Sequence, residues 1–193
     1  MHIMFKYCLF NIVQSICKKK FTEILTKCKL FNIYVHFYYY LLVIFMETVL
    51  IKSGYYSHLF KDDPVRPHLT EEFRLSDNRL GLALIDNQMC KAAVCVAISS
   101  EVPTNEIELD KFSSENTNIE KSIAIFYTIW SYDKGCGRKM LFNAVEWLKI
   151  NRPKIKRFVT LSPKNNMARS FHMKNGAKEL KANENSLNFE YFI

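Results

Sequence analysis

The stretch from Ser122 to Ala177, SIAIFYTIWSYDKGCGRKMLFNAVEWLKINRPKIKRFVTLSPKNNMARSFHMKNGA, decides how the rest of the chain is read. Residues 123–132 are rich in β-branched and aromatic side chains, which suits a strand. Asp133-Lys134-Gly135-Cys136-Gly137 follows as a turn. From Arg138 to Ile150 the period becomes helical. Leu141, Ala144, Val145 and Leu148 share one face, and Lys139, Asn143, Glu146 and Lys149 lie largely opposite. Pro153 stops that helix. Phe158 to Leu161 reads as a second strand, and Asn166 to Asn175 as a second helix with Gly176 at its C′ position.

A strand, glycine turn, helix and strand in this order imply a parallel crossover, with the turn at the carboxyl end of the first strand. Such a turn presents backbone N–H groups at a helix N-terminus, where an anion is favoured. Gly135 and Gly137 would let a phosphate approach the main chain, with Lys134, Arg138 and Lys139 adding positive charge. The spacing is neither a Walker P-loop nor a complete dinucleotide fingerprint. A bare turn explains an isolated G-x-G equally well.

The following residues change that balance, because here the chain resembles the GNAT superfamily of N-acetyltransferases. That family carries Q/R-x-x-G-x-G/A after its fourth strand, where this chain has Tyr132-Asp133-Lys134-Gly135-Cys136-Gly137. Its next landmark, N-x-x-A followed by an aromatic or aliphatic residue, often Tyr, and Gly-Phe, is matched by Asn165, Ala168, Phe171, His172 and Gly176-Ala177. The chain departs from the family at Tyr132 for Gln or Arg, His172 for Tyr, and Ala177 for Phe. The resemblance covers 122–180 in motifs and about 46–121 in length and strand order only.

The resemblance implies an α/β (α+β) domain. Its mixed, mostly antiparallel sheet would contain one splayed parallel strand pair, with helices flanking it. It further implies acetyl-CoA as co-substrate, with the pantetheine arm between the parallel strands near Tyr127, Thr128 and Ile129. The diphosphate would sit on Lys134, Gly135, Cys136, Gly137, Arg138 and Lys139. Asn165, Ala168 and Phe171 would complete the cofactor side. His172 would take the family tyrosine's place and protonate the departing thiolate. The acceptor would be a small-molecule or peptide amine, attacking directly. No acid lies on the strand 123–131 to serve as base, so Asp133, Glu101 and His68 are positional candidates only.

The first 45 residues differ in composition. They contain no Gly, Ala, Pro, Asp or Arg, whereas Phe, Ile, Lys, Asn and Tyr make up 25 of the 45. A misassigned start or a disordered extension is the expectation, with Met46–Ile193 as the GNAT-like domain. The rival is a membrane segment over 30–46, borderline against the about 20 apolar residues that spanning requires. No A-x-A-like cleavage site follows to suggest a signal peptide. With six Lys and one Glu, this segment supplies +5 of the formal net charge of +8. The body is therefore only mildly basic, which argues against non-specific nucleic-acid binding.

The six cysteines show neither a C-x-x-C pair nor zinc-like spacing, so no metal is expected, and a reducing cytoplasmic setting fits. From Met46 to Asn78 the chain is polar and aromatic, punctuated by Asp62-Asp63-Pro64 and Arg66-Pro67, with a helix start at Thr70 after a segment that Pro64 and Pro67 make loop-like. His58, Arg66, His68 and Arg74 are acceptor-side candidates there, although each taken singly reads more readily as an ordinary surface residue. Leu80–Ile85 and Met89–Ile98 form an expected hairpin around Asp86-Asn87-Gln88. A short helix is expected near Thr104 to Lys111, a turn at Asn116-Thr117-Asn118, and a closing strand through Leu187, Phe189, Tyr191 and Ile193. Two other readings stay open: a catalytically weak CoA-binding or interaction module, and a domain anchored through 30–46. A homodimer is left open as well.

Overall fold

The computed structural model describes residues 46–76, 78–114 and 120–193. The expectations for 1–45, including the membrane segment up to Phe45, and for the turn at 116–118 lie outside the described residues. No helix among the described residues is long and apolar enough to cross a membrane.

In chain order the elements are β1 (Glu47–Ile51), a 3-10 helix (Ser57–Asp62), α1 (Glu71–Leu75), β2 (Arg79–Asp86), β3 (Met89–Ser99) and α2 (Glu106–Ser114). They continue with β4 (Ile123–Ser131), α3 (Cys136–Asn151), β5 (Arg157–Thr160), β6 (Ser162–Pro163), α4 (Asn166–Lys174), β7 (Lys178–Ala182) and β8 (Ser186–Tyr191). The strands form one sheet in the order β1-β2-β3-β4-β5-β8-β6, with β7 pairing β8. All pairs are antiparallel except β4 with β5. This is the mixed, mostly antiparallel α/β sheet expected.

Alternation along the strands divides the core between two faces. On one face, Leu82, Leu84, Val94, Phe126, Phe158 and Phe189 meet Met140, Leu141, Ala144 and Leu148 of α3. On the other, Ala83, Cys95, Ile125, Tyr127 and Val159 meet Leu59 and Phe60 of the 3-10 helix and Leu109 of α2. Nearly every side chain of β3 from Ala92 onward is buried, because both faces are covered.

Turn chemistry accounts for most boundaries. The β2–β3 turn places Asn87 at φ 48° and Gln88 at φ 67°, the two left-handed residues of a tight hairpin. Thr70 caps α1 by accepting a hydrogen bond from Phe73 N–H at 3.2 Å. Gly176, at φ 87°, follows α4 in the left-handed conformation expected of a C′ glycine.

Three elements depart from expectation. No strand is read from the sequence just after Met46, yet Glu47–Ile51 is an edge strand on β2. Residues 178–182 form β7, whose side chains are all exposed, so they carry no apolar alternation to mark a strand. The short β6 also went unmarked, being only Ser162-Pro163.

The strand pair that matters most is β4–β5. Its parallel register runs from Ile123↔Arg157 to Phe126↔Thr160, and Leu161 N–H still donates to Phe126 O at 3.0 Å. Beyond that point the strands part. On its other side β4 pairs Val96↔Phe126 and Cys95↔Thr128, leaving Tyr127 as the extra residue of a bulge. Pro163 has no N–H with which to extend a ladder. Bulge and proline together make a fork between Tyr127 and Leu161.

Candidate functional site

At the carboxyl end of β4 the chain turns through Asp133, Lys134 and Gly135 into α3. Gly135 sits at φ 83°, and no side chain caps the helix. The first-turn N–H groups of such a helix have no intrahelical acceptor. A Cβ built on Gly135 would meet nothing within 4 Å, whereas one on Gly137 would lie 3.4 Å from Ser131 Oγ and 3.6 Å from the Phe171 ring. The space outside Gly135 is thus open, and Gly137 lies close under neighbouring side chains. Lys134, Arg138 and Lys139 are exposed around this turn, while Cys136 and Gly137 are buried. Arg138 also lies over the Phe142 ring at 5.0 Å.

Asn165 and Ala168 meet, and the reason is local. Asn165 is the N-cap of α4, and its side-chain oxygen accepts from Ala168 N–H at 2.8 Å. This cap fixes where α4 begins and hence where Phe171 and His172 point. Phe171 is half-buried and packs toward Gly137, so the two quoted motifs touch. Tyr132 turns away from the turn: its hydroxyl donates to Asp62 at 2.7 Å and accepts from Trp130 Nε1–H at 3.2 Å.

His172 is 4% exposed. Its Nε2 lies 2.9 Å from Ser162 Oγ and its Nδ1 lies 2.8 Å from Tyr191 Oη. The ring stacks on Phe189 at 4.9 Å between centroids. Burial lowers its pKa to about 4, so the imidazole is neutral near pH 7. A neutral ring donates from one nitrogen and accepts at the other. The chain of groups continues inward, since Ser162 Oγ–H donates to Thr160 Oγ1 at 3.0 Å and Phe189 N–H donates to the same oxygen at 3.1 Å. Tyr191, Ser162 and Thr160 are likewise buried, and burial holds the Tyr191 phenol well above its ordinary pKa. Tyr191, His172 and Ser162 form a neutral hydrogen-bonded relay.

The opposite side of the fork carries charge. Arg66, 5% exposed, donates from Nη1 to Tyr127 O and from Nη2 to Leu161 O at 3.1 Å, one carbonyl from each side of the fork. Burial lowers its pKa, and Glu106, 2.8 Å from Nε, opposes that shift. Behind Arg66, the Asp63 carboxylate accepts from Val65 N–H at 2.8 Å, Arg66 N–H at 3.2 Å and Thr128 Oγ1–H at 2.7 Å. Its other oxygen pairs with Arg74 at 2.8 Å, and both side chains are fully buried. Thr128 therefore spends its hydroxyl on Asp63, while Ile129 is partly buried against the α3 face.

The turn and α4 thus bring Gly137 beside Ser131 and Phe171, with His172 next to Phe171, whereas Thr128 and the Tyr127 carbonyl meet Asp63 and Arg66 on the other side of the sheet. His58 is not joined to this group by any described contact. Sequence reasoning missed Ser162 and Tyr191 as partners of His172, and Asp63 as a buried anchor. Ser162 shows only as a polar residue in a short apolar run, and Tyr191 only as one apolar position in an alternating strand. Asp63 carried no signal beyond a turn-like Asp-Pro. Among the described residues, no cluster of three or more His, Cys, Asp or Glu side chains is placed to hold a metal.

No protein-family model matches the chain, and no curated protein matches it by sequence. Solved structures do match by shape. The malonyl-CoA decarboxylase of Agrobacterium vitis is similar at 22% identity and a TM-score of 0.53, over 66% of this chain and 35% of that one. The chain therefore spans about a third of the length of that decarboxylase. Aminoglycoside acetyltransferase AAC(6')-Ib, solved with coenzyme A and kanamycin, is similar at 15% identity and a TM-score of 0.55, over 76% and 94% of the two chains. The GNAT domain of the S. lividans protein PAT is similar at 14% identity and a TM-score of 0.52, over 75% and 88%. What these identities establish is the fold: this chain is built like a GNAT domain.

Proposed function

We propose that this chain is an acyltransferase that binds acetyl-CoA and passes its acetyl group to an amine by direct attack. The observation carrying the proposal is a glycine-lined α3 start without a side-chain cap, at the carboxyl end of a β4 whose parallel pairing with β5 stops at Phe126↔Thr160. The site fits the substrate chemically. The α3 turn offers first-turn N–H groups and flanking cations for a diphosphate. Past Phe126, β4 is no longer paired with β5, and Arg66 holds Tyr127 O and Leu161 O at that point. A fold neighbour solved with coenzyme A supports the same ligand class.

In the reaction the amine nitrogen bonds to the thioester carbon, the C–S bond breaks, and the thiolate leaves. Backbone N–H groups of the bulged β4 would hold the carbonyl oxygen as charge develops on it. His172 would supply the proton to sulfur. Because Ser162 Oγ–H is given to Thr160, His172 donates from Nε2–H to Ser162 and accepts at Nδ1 from Tyr191. To reach sulfur, the Nε2 proton would leave Ser162 while Nδ1 takes the Tyr191 proton. A proton from solvent would restore the phenol before the next turnover. A binding module without turnover is the alternative of the same fold, and Tyr132 in place of the family's Gln or Arg leaves that option standing.

A second reading is favoured by a specific observation. The buried, neutral Ser162–His172–Tyr191 relay suits delivery of a proton to carbon as well as to sulfur, and the Agrobacterium vitis structure similar to this chain is a malonyl-CoA decarboxylase. In that reaction the C–C bond to the carboxylate would break, carbon dioxide would leave, and the resulting thioester enolate would take the relay's proton. Incubation with acetyl-CoA and a panel of amines, with free thiol as readout, separates the readings from a parallel incubation with malonyl-CoA alone. Amine-dependent thiol release supports acetyl transfer. Conversion of malonyl-CoA to acetyl-CoA without amine supports the second reading. CoA binding with neither reaction supports the module.

A further inference from the structure

Resting on the acetyl-transfer reading, we propose that His68 is the base that takes the proton of the attacking amine, with Glu106 and Arg66 positioning it. His68 Nε2 lies 2.7 Å from Glu106 Oε2, while the other oxygen of Glu106 binds Arg66 Nε at 2.8 Å. Arg66 in turn grips Tyr127 O and Leu161 O across the fork. An exposed imidazole is thus linked through the Glu106 carboxylate and the Arg66 guanidinium to the Tyr127 and Leu161 carbonyls at the fork. An imidazole oriented by a carboxylate is an arrangement suited to accepting a proton, because the carboxylate stabilises the imidazolium that forms.

An ordinary surface ion pair is loosely held and contributes little. This one is held from both ends. Glu106 opens α2, whose start is fixed by Asn105 capping Glu108 N–H at 2.9 Å and by Glu108 accepting from both Thr104 N–H and Thr104 Oγ1–H at 2.7 Å. That helix start is pinned to β8, since Asn188 Nδ2–H donates to Pro103 O at 3.0 Å and Ser186 Oγ–H to Thr104 O at 2.6 Å. The loop carrying His68 is fixed by Asp63, by Arg74 and by Leu69 N–H donating to Arg66 O at 3.2 Å. With Nε2 engaged by Glu106, Nδ1 is the atom left to accept from the amine. The His68 side chain is 60% exposed, so the proton then passes to solvent.

The proton therefore moves from the amine to His68 Nδ1 as the C–N bond forms, while the thiolate receives its own proton from the His172 side. The fork separates the two. The test uses the full chain with acetyl-CoA and the best amine found by screening. His68→Ala is expected to lower kcat by ~10²-fold or more, to leave acetyl-CoA affinity by calorimetry unchanged, and to regain rate when free imidazole is added. Glu106→Gln should lower kcat less, without imidazole rescue. A His68→Ala enzyme with wild-type kcat, or one whose loss imidazole does not touch, overturns the assignment alone. A wild-type chain that binds acetyl-CoA yet acetylates no amine overturns the acetyl-transfer reading, and this role falls with it.

Discussion

Ser162 Oγ and His172 Nε2 lie 2.9 Å apart, joining the two-residue strand after the fork to the helix capped by Asn165. Neither side chain has an open path to water, at 4% exposure each. A pair of polar groups so buried is stable only when each satisfies the other, and here Tyr191 and Thr160 complete the set. The same arrangement keeps a proton mobile in a dry place beside the fork. Structure and proposed chemistry use one set of hydrogen bonds.

His172→Phe is expected to lower kcat more than it raises the Michaelis constant for acetyl-CoA, since proton delivery matters mainly in the transition state. The loss should fall in the ~10²–10⁴-fold range of acid–base catalysis, and His172→Tyr should restore part of it. Steady-state kinetics on the three proteins measures this. Equal kcat in all three would make His172 a packing residue.

The depressed His172 pKa has a consequence for stability. Below the unfolded-state value of 6.5 the unfolded chain takes up a proton that the folded chain refuses until about pH 4. Stability contributed by the neutral ring is therefore present above pH 6.5 and lost as pH falls toward 4. At about 1.36 kcal/mol per pKa unit the loss is roughly 3 kcal/mol. Carboxylates such as Glu190, held low by Arg157, weaken the fold over the same range. The comparison that isolates His172 is the difference in urea midpoint between pH 7 and pH 4.5 for wild type and His172→Phe. The variant is expected to lose less.

Asp63→Ala should destabilise the fold by about 3–5 kcal/mol, because it leaves the fully buried Arg74 guanidinium without its counter-charge. The double variant Asp63→Leu with Arg74→Leu should recover much of that cost, since no charge then stays buried. Chemical denaturation of the three variants checks both. A mild effect in Asp63→Ala would mean that Cys95 and the Arg66 carbonyl suffice for Arg74.

The segment 46–193 is expected to fold without 1–45, as it carries both core clusters of the described residues. A cooperative melt of 46–193 matching that of the full chain checks this. A melt seen only with 1–45 attached would contradict it.

The regular parts of this fold were legible because their signals are local. The β4 turn, the α3 face, the Asn165 cap and the Asn87-Gln88 hairpin each depend on residues a few positions apart. The GNAT resemblance matched Phe171 and His172 to the family's helix motif, and the structure puts Phe171 near Gly137 and His172 between Ser162 and Tyr191. What stayed hidden depends on distant residues. Asp63 and Thr128 meet across 65 positions, and Arg66 reaches Leu161 across 95. A buried Asp-Arg pair looks like two surface residues until packing removes the water around it. Tyr191 was legible as a strand residue but not as a partner, since its hydroxyl carries no sequence periodicity. The absence of an acid on β4 directed attention to the base, yet only the Glu106–His68 contact raised one candidate above the others.

The central claim is that the α3 turn and the fork bind acetyl-CoA, and calorimetric titration of the full chain compared with Gly135→Val tests it most directly. Gly135 is in the left-handed region at φ 83° with open space outside it, so a branched side chain there strains the turn and covers the uncapped N–H groups. The account predicts saturable one-to-one binding by the wild type. In Gly135→Val, binding should be weakened at least about tenfold, roughly 1.4 kcal/mol, with an unchanged circular dichroism spectrum. Absence of acetyl-CoA binding by the wild type, or equal affinity in a natively folded Gly135→Val, would contradict it.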